Sequence, residues 1–352
     1  MPIKPVNRME PLPVDSPTDV AALVDLMRTA GEDGRLTRGL GDHFAYLAGV
    51  HPEWFRPYQE VVITELLDRF GPSFDDHCAL LAGAPDHCVE HLLRRLRERW
   101  AFHEAWALAA IGTEAALAAV AEDVRAGGNR DDYEEIGVWV PPTGPAEYRF
   151  SPHRRAVFRR WVDDPAEVAA AAHPVGLPLD RVVRDPAHTP VTWHYLSLRL
   201  AEVPGLPDWP AERVHLLSPR ANWDWTLTAH IDDQGRYHRE TAAIDSPPDA
   251  EEEEWFRSEE EAGGALGVAR LRPYDADLVY CNGHIMLTPD VVGTAGGSPI
   301  GIYANPHCPS CARLMFHVVS VQHHIRGYGD GWRSLFVCED CRLVTCNGTG
   351  WN

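Results

Sequence analysis

The chain is short of positive charge. Lysine occurs once, at Lys4, and 32 basic residues stand against 52 acidic ones, giving a formal net charge of −20. Such a surface repels phosphate backbones and disfavours broad, non-specific nucleic-acid binding. The preference for arginine over lysine fits genomic base composition better than any chemistry. Long apolar runs are also missing. The nearest, residues 105–121, is broken by Gly112, Thr113 and Glu114, which excludes a helix that spans a membrane. The opening MPIKPVNRMEPLPVDSP has no apolar segment followed by a small-residue cleavage site, so no signal peptide is expected and the cytoplasm is the expected compartment. There is no Walker A loop, no G-x-G-x-x-G fingerprint, no G-x-S-x-G elbow and no kinase motif set. No cofactor-binding loop is therefore expected, and no catalytic residue can be assigned.

What is present divides along the chain. Residues 1–18 hold five prolines and read as a flexible arm. From Asp19 to Ala126 the pattern is helical, with breakers at Gly31–Gly34, His51-Pro52, Gly71-Pro72 and Gly83-Ala84-Pro85. Val89, Leu92, Leu93, Leu96 and Trp100 recur on one helical face, with Asp86 as a candidate N-cap. Gly112 is expected to end the next helix, and Thr113 to cap the one from Glu114 to Ala126. Residues 127–190 are rich in Gly, Pro and Asp and read as a linker or junction. From 191 to 352 the periodicity is that of strands. Trp223, Trp225, Leu227, Ala229 and Ile231 alternate with polar residues, and Val191–Leu200 and Leu278–Leu287 are further strand candidates.

The stretch AWALAAIGTEAALAAVAEDV, preceded by a helix rich in Leu and Arg, resembles a HEAT-like repeat across residues 60–126, and more loosely across 19–126. That resemblance implies helix pairs stacked into a solenoid that binds another protein. The expected fold class is therefore α+β: an N-terminal HEAT-like helical array followed by a β-rich domain containing a zinc ribbon.

The strongest chemical signal is Cys308-Pro-Ser-Cys311 and, 26 residues on, Cys338-Glu-Asp-Cys341. A Cys-x-x-Cys knuckle aims two sulfurs at one metal, and two knuckles complete the tetrahedron that Zn²⁺ prefers with thiolates. Strand-like residues 313–321 and 332–337 between them give a hairpin that resembles a zinc ribbon, with an extended tip at 323–331. Four thiolates leave no open position for water, so this Zn²⁺ is expected to be structural. A thioredoxin-like redox pair, or His307 or Cys346 replacing one thiolate, are the competing assignments.

Weaker patterns remain. His87-Cys88-Val89-Glu90-His91 matches the H-x-x-E-H order of a zinc peptidase helix, but both imidazoles fall opposite the apolar face. His77, Cys78 and His103 lie nearby in sequence. Arg149, Arg154, Arg155, Arg159 and Arg160, interleaved with Tyr148, Phe150, Phe158 and Trp161, suit either a phosphate-binding stretch or a surface helix. His317, His323, His324 and His284 read as structural or solvated. The expected function is that of a protein–protein interaction adaptor or accessory factor. The alternatives are an enzyme, with a pocket in the β-rich domain or at the domain junction and a second metal at His87/His91, and nucleic-acid binding through the ribbon and Arg149–Arg160. Oligomeric state is not legible.

Overall fold

The alternation from Trp225 to Ile231 forms the strand it predicts, with Trp225, Leu227, Ala229 and Ile231 buried and the residues between them half-exposed. A computed structural model describes residues 16–29, 51–67, 80–99, 101–203, 205–221, 224–245, 253–254, 266–273, 279–281, 284–286, 291–299, 305–322 and 331–349, with 44, 47–48, 78, 248, 250 and 325. The chain splits into two units. One holds Met1–Tyr133, Val140–Glu147 and Asp275–Met286, and the other holds Glu134–Trp139, Tyr148–Tyr274 and Leu287–Asn352.

In the first unit, α1 (Pro17–Thr29) precedes a run of short helical turns over 52–66. Then α2 (Asp86–Glu98), α3 (Phe102–Ile111) and α4 (Glu114–Arg125) follow in succession. Gly112 ends α3 in the left-handed conformation at φ 67°, where a side chain would be strained. The Thr113 hydroxyl accepts from the Ala116 N–H at 3.2 Å and opens α4. Asp86 is the first helical residue of α2, with Pro85 in the cap position.

The fold class differs from the expectation. The dominant element is a nine-stranded sheet, and no HEAT-like array appears among the described residues. The physical reason lies in α3, where every residue from Glu104 to Ile111 is buried. Helices α2 and α4 pack on it and on each other, closing a three-helix cluster. An alanine-rich helix enclosed in this way leaves no apolar face on which another repeat could stack. No described helix is long and apolar enough to cross a membrane.

The second unit contains β1 (Arg155–Trp161), β2 (His173–Val175), β3 (Val191–Arg199), β4 (Arg213–Pro219), β5 (Trp225–Ile231), β6 (Tyr237–Ile244), β7 (Gly267–Pro273), β8 (Val291–Ala295), β9 (Phe316–Gln322), β10 (Trp332–Cys338) and β11 (Leu343–Thr349). Nine of them form one antiparallel sheet in the order β2-β7-β1-β8-β9-β10-β11-β5-β6. Strands β3 and β4 form a separate hairpin. The arginine-bearing stretch after residue 149 is therefore strand β1, paired on both sides, and not a surface helix.

The register gives the sheet two different faces. Ala295, Val319, Leu335, Cys346 and Leu227 stand opposite one another across β8, β9, β10, β11 and β5. They join the β3–β4 hairpin residues Tyr195, Leu198, Leu216 and Leu217 in the main core. One residue along, Thr294, Ser320, Ser334, Asn347 and Thr226 form an equally continuous row across the same five strands. Side chains alternate faces along a strand, so this hydroxyl and amide row points away from the aliphatic core. Gly348 admits the Trp225 indole, since a Cβ there would lie 2.1 Å from Trp225 Nε1.

Candidate metal centre

The two cysteine knuckles meet where β9 begins and β10 ends. Within knuckle one, the Ala312 N–H donates to the Cys308 carbonyl and the Cys308 N–H to the Arg313 carbonyl, each at 2.8 Å. Both knuckles close on a left-handed residue directly after their second cysteine: Ala312 at φ 58° and Arg342 at φ 53°. That turn brings the second sulfur back beside the first. The Arg313 N–H donates to the Cys311 sulfur and the Cys341 N–H to the Cys338 sulfur. Such bonds favour the thiolate, the form that binds metal.

The four Sγ atoms lie within 4.8 Å of one another, and Cys311 and Cys338 are 3.6 Å apart. A Zn–S distance of about 2.3 Å in a tetrahedron places its sulfurs about 3.8 Å apart, so the donor set matches the ion in number, type and spacing. None of the four is in a disulfide. The 3.6 Å separation far exceeds an S–S bond of about 2.05 Å. The thiols also perturb one another. Burial raises Cys338 well above the ordinary thiol range, and burial with hydrogen bonding to the Cys311 and Cys308 thiols pushes Cys341 up to about 11. Burial acts in the same direction on Cys311, but the Arg313 N–H and the neighbouring thiols outweigh it and hold that thiol below its ordinary value. The crowding thus favours the thiolate at Cys311 and the thiol at Cys338 and Cys341, a conflict that a divalent cation removes.

The surroundings are built as firmly as the donors. Cys308, Cys338 and Cys341 pack with Met315, Phe336 and Leu343 in a small core of their own. Arg149, 3% exposed, ties the two knuckles together. Its Nε donates to the Leu314 carbonyl at 2.8 Å, and its Nη2 donates to both carboxylate oxygens of Glu339 at 2.9 Å. Arg313 reaches Glu339 at 3.2 Å and Asp340 at 3.0 Å. The Asn305 amide donates to the Arg149 and Met315 carbonyls at 3.1 and 2.8 Å, and Glu134 holds His307 at 3.0 Å. The hairpin between the knuckles is antiparallel, Phe316 opposite Val337, as expected of a ribbon. It is not free-standing, because β9 and β10 are inner strands of the nine-stranded sheet.

The other sequence candidates disperse. His87 sits exposed 3.4 Å from Glu60, beside an open pocket of 310 Å³ that His91 and Arg94 also line. Among the described residues, only the four cysteines bring three or more metal donors together, so His87 and His91 lack a third ligand there. Glu104 is buried and paired with Arg95. His317 is a satisfied core residue: its Nδ1 bonds the Gly297 carbonyl at 2.9 Å, its Nε2 meets Ser320 Oγ at 2.9 Å, and Ser320 continues to Ser334 at 2.7 Å. Burial lowers its pKa to about 4. His323, His324, His77 and Trp223 lie outside the described residues, as do the side chains of His284 and Cys281. Cys346 is buried and faces the His215 carbonyl, away from the knuckles.

Of the arginine stretch, Arg149 belongs to the metal centre and Arg154 donates to the Ser298 carbonyl at 3.2 Å. Phe158 and Arg160 of β1 share a face with Arg270 and Arg272 of β7. Arg272 stacks on Phe158 at 4.8 Å and Arg159 on Trp161 at 3.7 Å. The Arg149–Glu339 bond and the two-faced sheet escaped sequence reasoning. Glu339 inside the second knuckle was visible, but nothing in the spacing joins residues 190 positions apart. No protein family model, no curated protein and no solved structure matches the chain.

Proposed function

We propose that Cys308, Cys311, Cys338 and Cys341 bind one Zn²⁺ ion as a structural staple, in an accessory protein that works by binding a partner and not by metal catalysis. The observation that carries this reading is the convergence of four sulfurs from two knuckles within 4.8 Å. Bound there, the ion supplies cross-linking free energy between the start of β9 and the end of β10. All four positions are thiolate, so no place remains for a substrate or an activated water. Thiolate donors also favour zinc over magnesium, calcium or manganese. Support for a binding role comes from the arginine–aromatic surface of β1 and β7. There Arg160, Arg270 and Arg272 are exposed around Phe158 on one face of an otherwise acidic protein, and Trp161, on the other face at the end of β1, is 41% exposed. Arginine and aromatic side chains are the residue types enriched at interfaces.

Metal analysis with native mass spectrometry tests the metal assignment. One zinc per chain is expected, together with loss of the ion and a lower unfolding temperature in Cys338→Ser. Reduced protein that contains no zinc and takes none up, or a Cys338→Ser variant that keeps its zinc and its melting temperature, would refute it.

A further inference from the structure

The metal centre is lopsided, and the lopsidedness repeats in both knuckles. The first cysteines, Cys308 and Cys338, are each 1% exposed. They are held in the small core formed by Met315, Phe336 and Leu343. The second cysteines sit in the turns: Cys311 is exposed and Cys341 half-exposed. The left-handed residues Ala312 and Arg342, which follow directly, hold those turns at the surface. We infer that this centre is an oxidation site whose points of attack are Cys311 and Cys341, so that a peroxide joins one knuckle to the other and expels the metal. This rests on the structural-zinc reading above.

The chemistry needs only sulfurs the structure already brings together. A zinc-bound thiolate keeps a lone pair, and a peroxide must approach that sulfur from solvent to react. Attack by the Cys311 sulfur on hydrogen peroxide breaks the O–O bond, leaving a sulfenic acid and one water after a proton is taken up. The Cys341 thiolate then attacks the sulfenic sulfur, and the hydroxyl leaves as a second water with a second proton. Two thiolates have lost two electrons, and the peroxide has accepted them. The four sulfurs lie within 4.8 Å, so Cys311 and Cys341 need only close to an S–S bond of about 2.05 Å. Zinc is left with Cys308 and Cys338, too few ligands to retain it, and those two sulfurs take up two protons as it departs. Within the centre Cys338 lies 3.6 Å from Cys311 but is shielded at 1% exposure, and of the described thiols outside it Cys88 and Cys346 are buried and Cys78 is half-exposed.

The test uses the intact zinc-loaded chain. Hydrogen peroxide is added at one to ten equivalents, released zinc is read with a chromogenic chelator, and disulfides are mapped by mass spectrometry without reduction. Release of one zinc per disulfide, with the linkage mapped to Cys311–Cys341 and reversed by dithiothreitol plus zinc, is the expected result. Cross-links within each knuckle, a Cys308–Cys338 bond, release without a disulfide, or full retention at ten equivalents would each overturn the inference. A chain that carries no zinc before peroxide is added defeats the structural-zinc reading instead, so the two failures are distinct.

Discussion

Removing the Arg149 guanidinium should loosen the metal centre without touching a metal ligand. In Arg149→Met the aliphatic stem remains, but three charge-assisted hydrogen bonds are lost: two to Glu339 at 2.9 Å and one to the Leu314 carbonyl at 2.8 Å. Breaking a buried ion pair from one side costs about 3–5 kcal/mol, because the abandoned charge stays desolvated. Glu339 is 17% exposed and keeps Arg313 at 3.2 Å, so the lower end applies, about 3 kcal/mol. Glu339→Gln alone should cost less, about 2 kcal/mol, since a neutral amide can still accept from the guanidinium. Because both changes remove one interaction, the double variant should fall short of the sum by about 1–2 kcal/mol. The assay is urea unfolding of the zinc-loaded protein, run beside the rate at which a chelator strips the metal. Arg149→Met should both lower the midpoint and speed zinc loss. Strict additivity in the cycle, or an Arg149→Met midpoint unchanged from wild type, would refute the idea that this pair ties the knuckles together.

Acid should weaken the β-rich unit through two histidines. Burial lowers His215 and His317 from an ordinary 6.5 to about 4. The unfolded chain therefore binds their protons first, so the stability they confer is complete above pH 6.5 and is lost as pH falls toward 4. Each contributes on the order of 3 kcal/mol over that window, and urea midpoints at pH 7 and pH 5 should show the fall. Replacing His215 with Gln should flatten the profile, and a pH-independent midpoint would count against it. Thr294→Val should be neutral or stabilising by about 1 kcal/mol in thermal unfolding, because the fully buried Thr294 Oγ1 has no hydrogen-bond partner among the described residues. A loss above about 2 kcal/mol would show that the hydroxyl is engaged. Gly348→Ala should destabilise by about 2 kcal/mol or more through its collision with Trp225, and Trp225→Leu should relieve the penalty in the double variant.

Legibility followed the range of the interactions. The cysteine spacing placed all four thiols, because a knuckle is a local structure and two of them make a set. Gly112 and Thr113 were readable for the same reason: a helix end is determined by a few adjacent residues. The alternation in β5 was readable because that strand is buried on one face only. β10 is buried at all seven positions and shows no such period. The HEAT-like expectation fails at α3, because the alanine-rich stretch ending in Ile111-Gly112 that resembles a repeat helix is made of small residues that permit close packing. They equally permit one helix to be enclosed by two neighbours. β1 was obscured because its arginines and aromatics, in the order Arg-Ala-Val-Phe-Arg-Arg-Trp, keep no period of two, and sequence alone does not show that it pairs with β7 and β8. Arg149 reads as surface charge until the chain brings Glu339 to it.

The two rows across β8, β9, β10, β11 and β5 have a consequence for how the chain finds its pairing. They lie one position apart, so a strand that docked one residue out of step would thrust Ser, Thr and Asn into the aliphatic interior and turn Val319 and Leu335 outward. Five neighbouring strands carry the same alternation, so each checks the alignment of the next during folding. Insertions or deletions inside these strands should therefore be far more damaging than most substitutions, and length variation belongs in the connections between them.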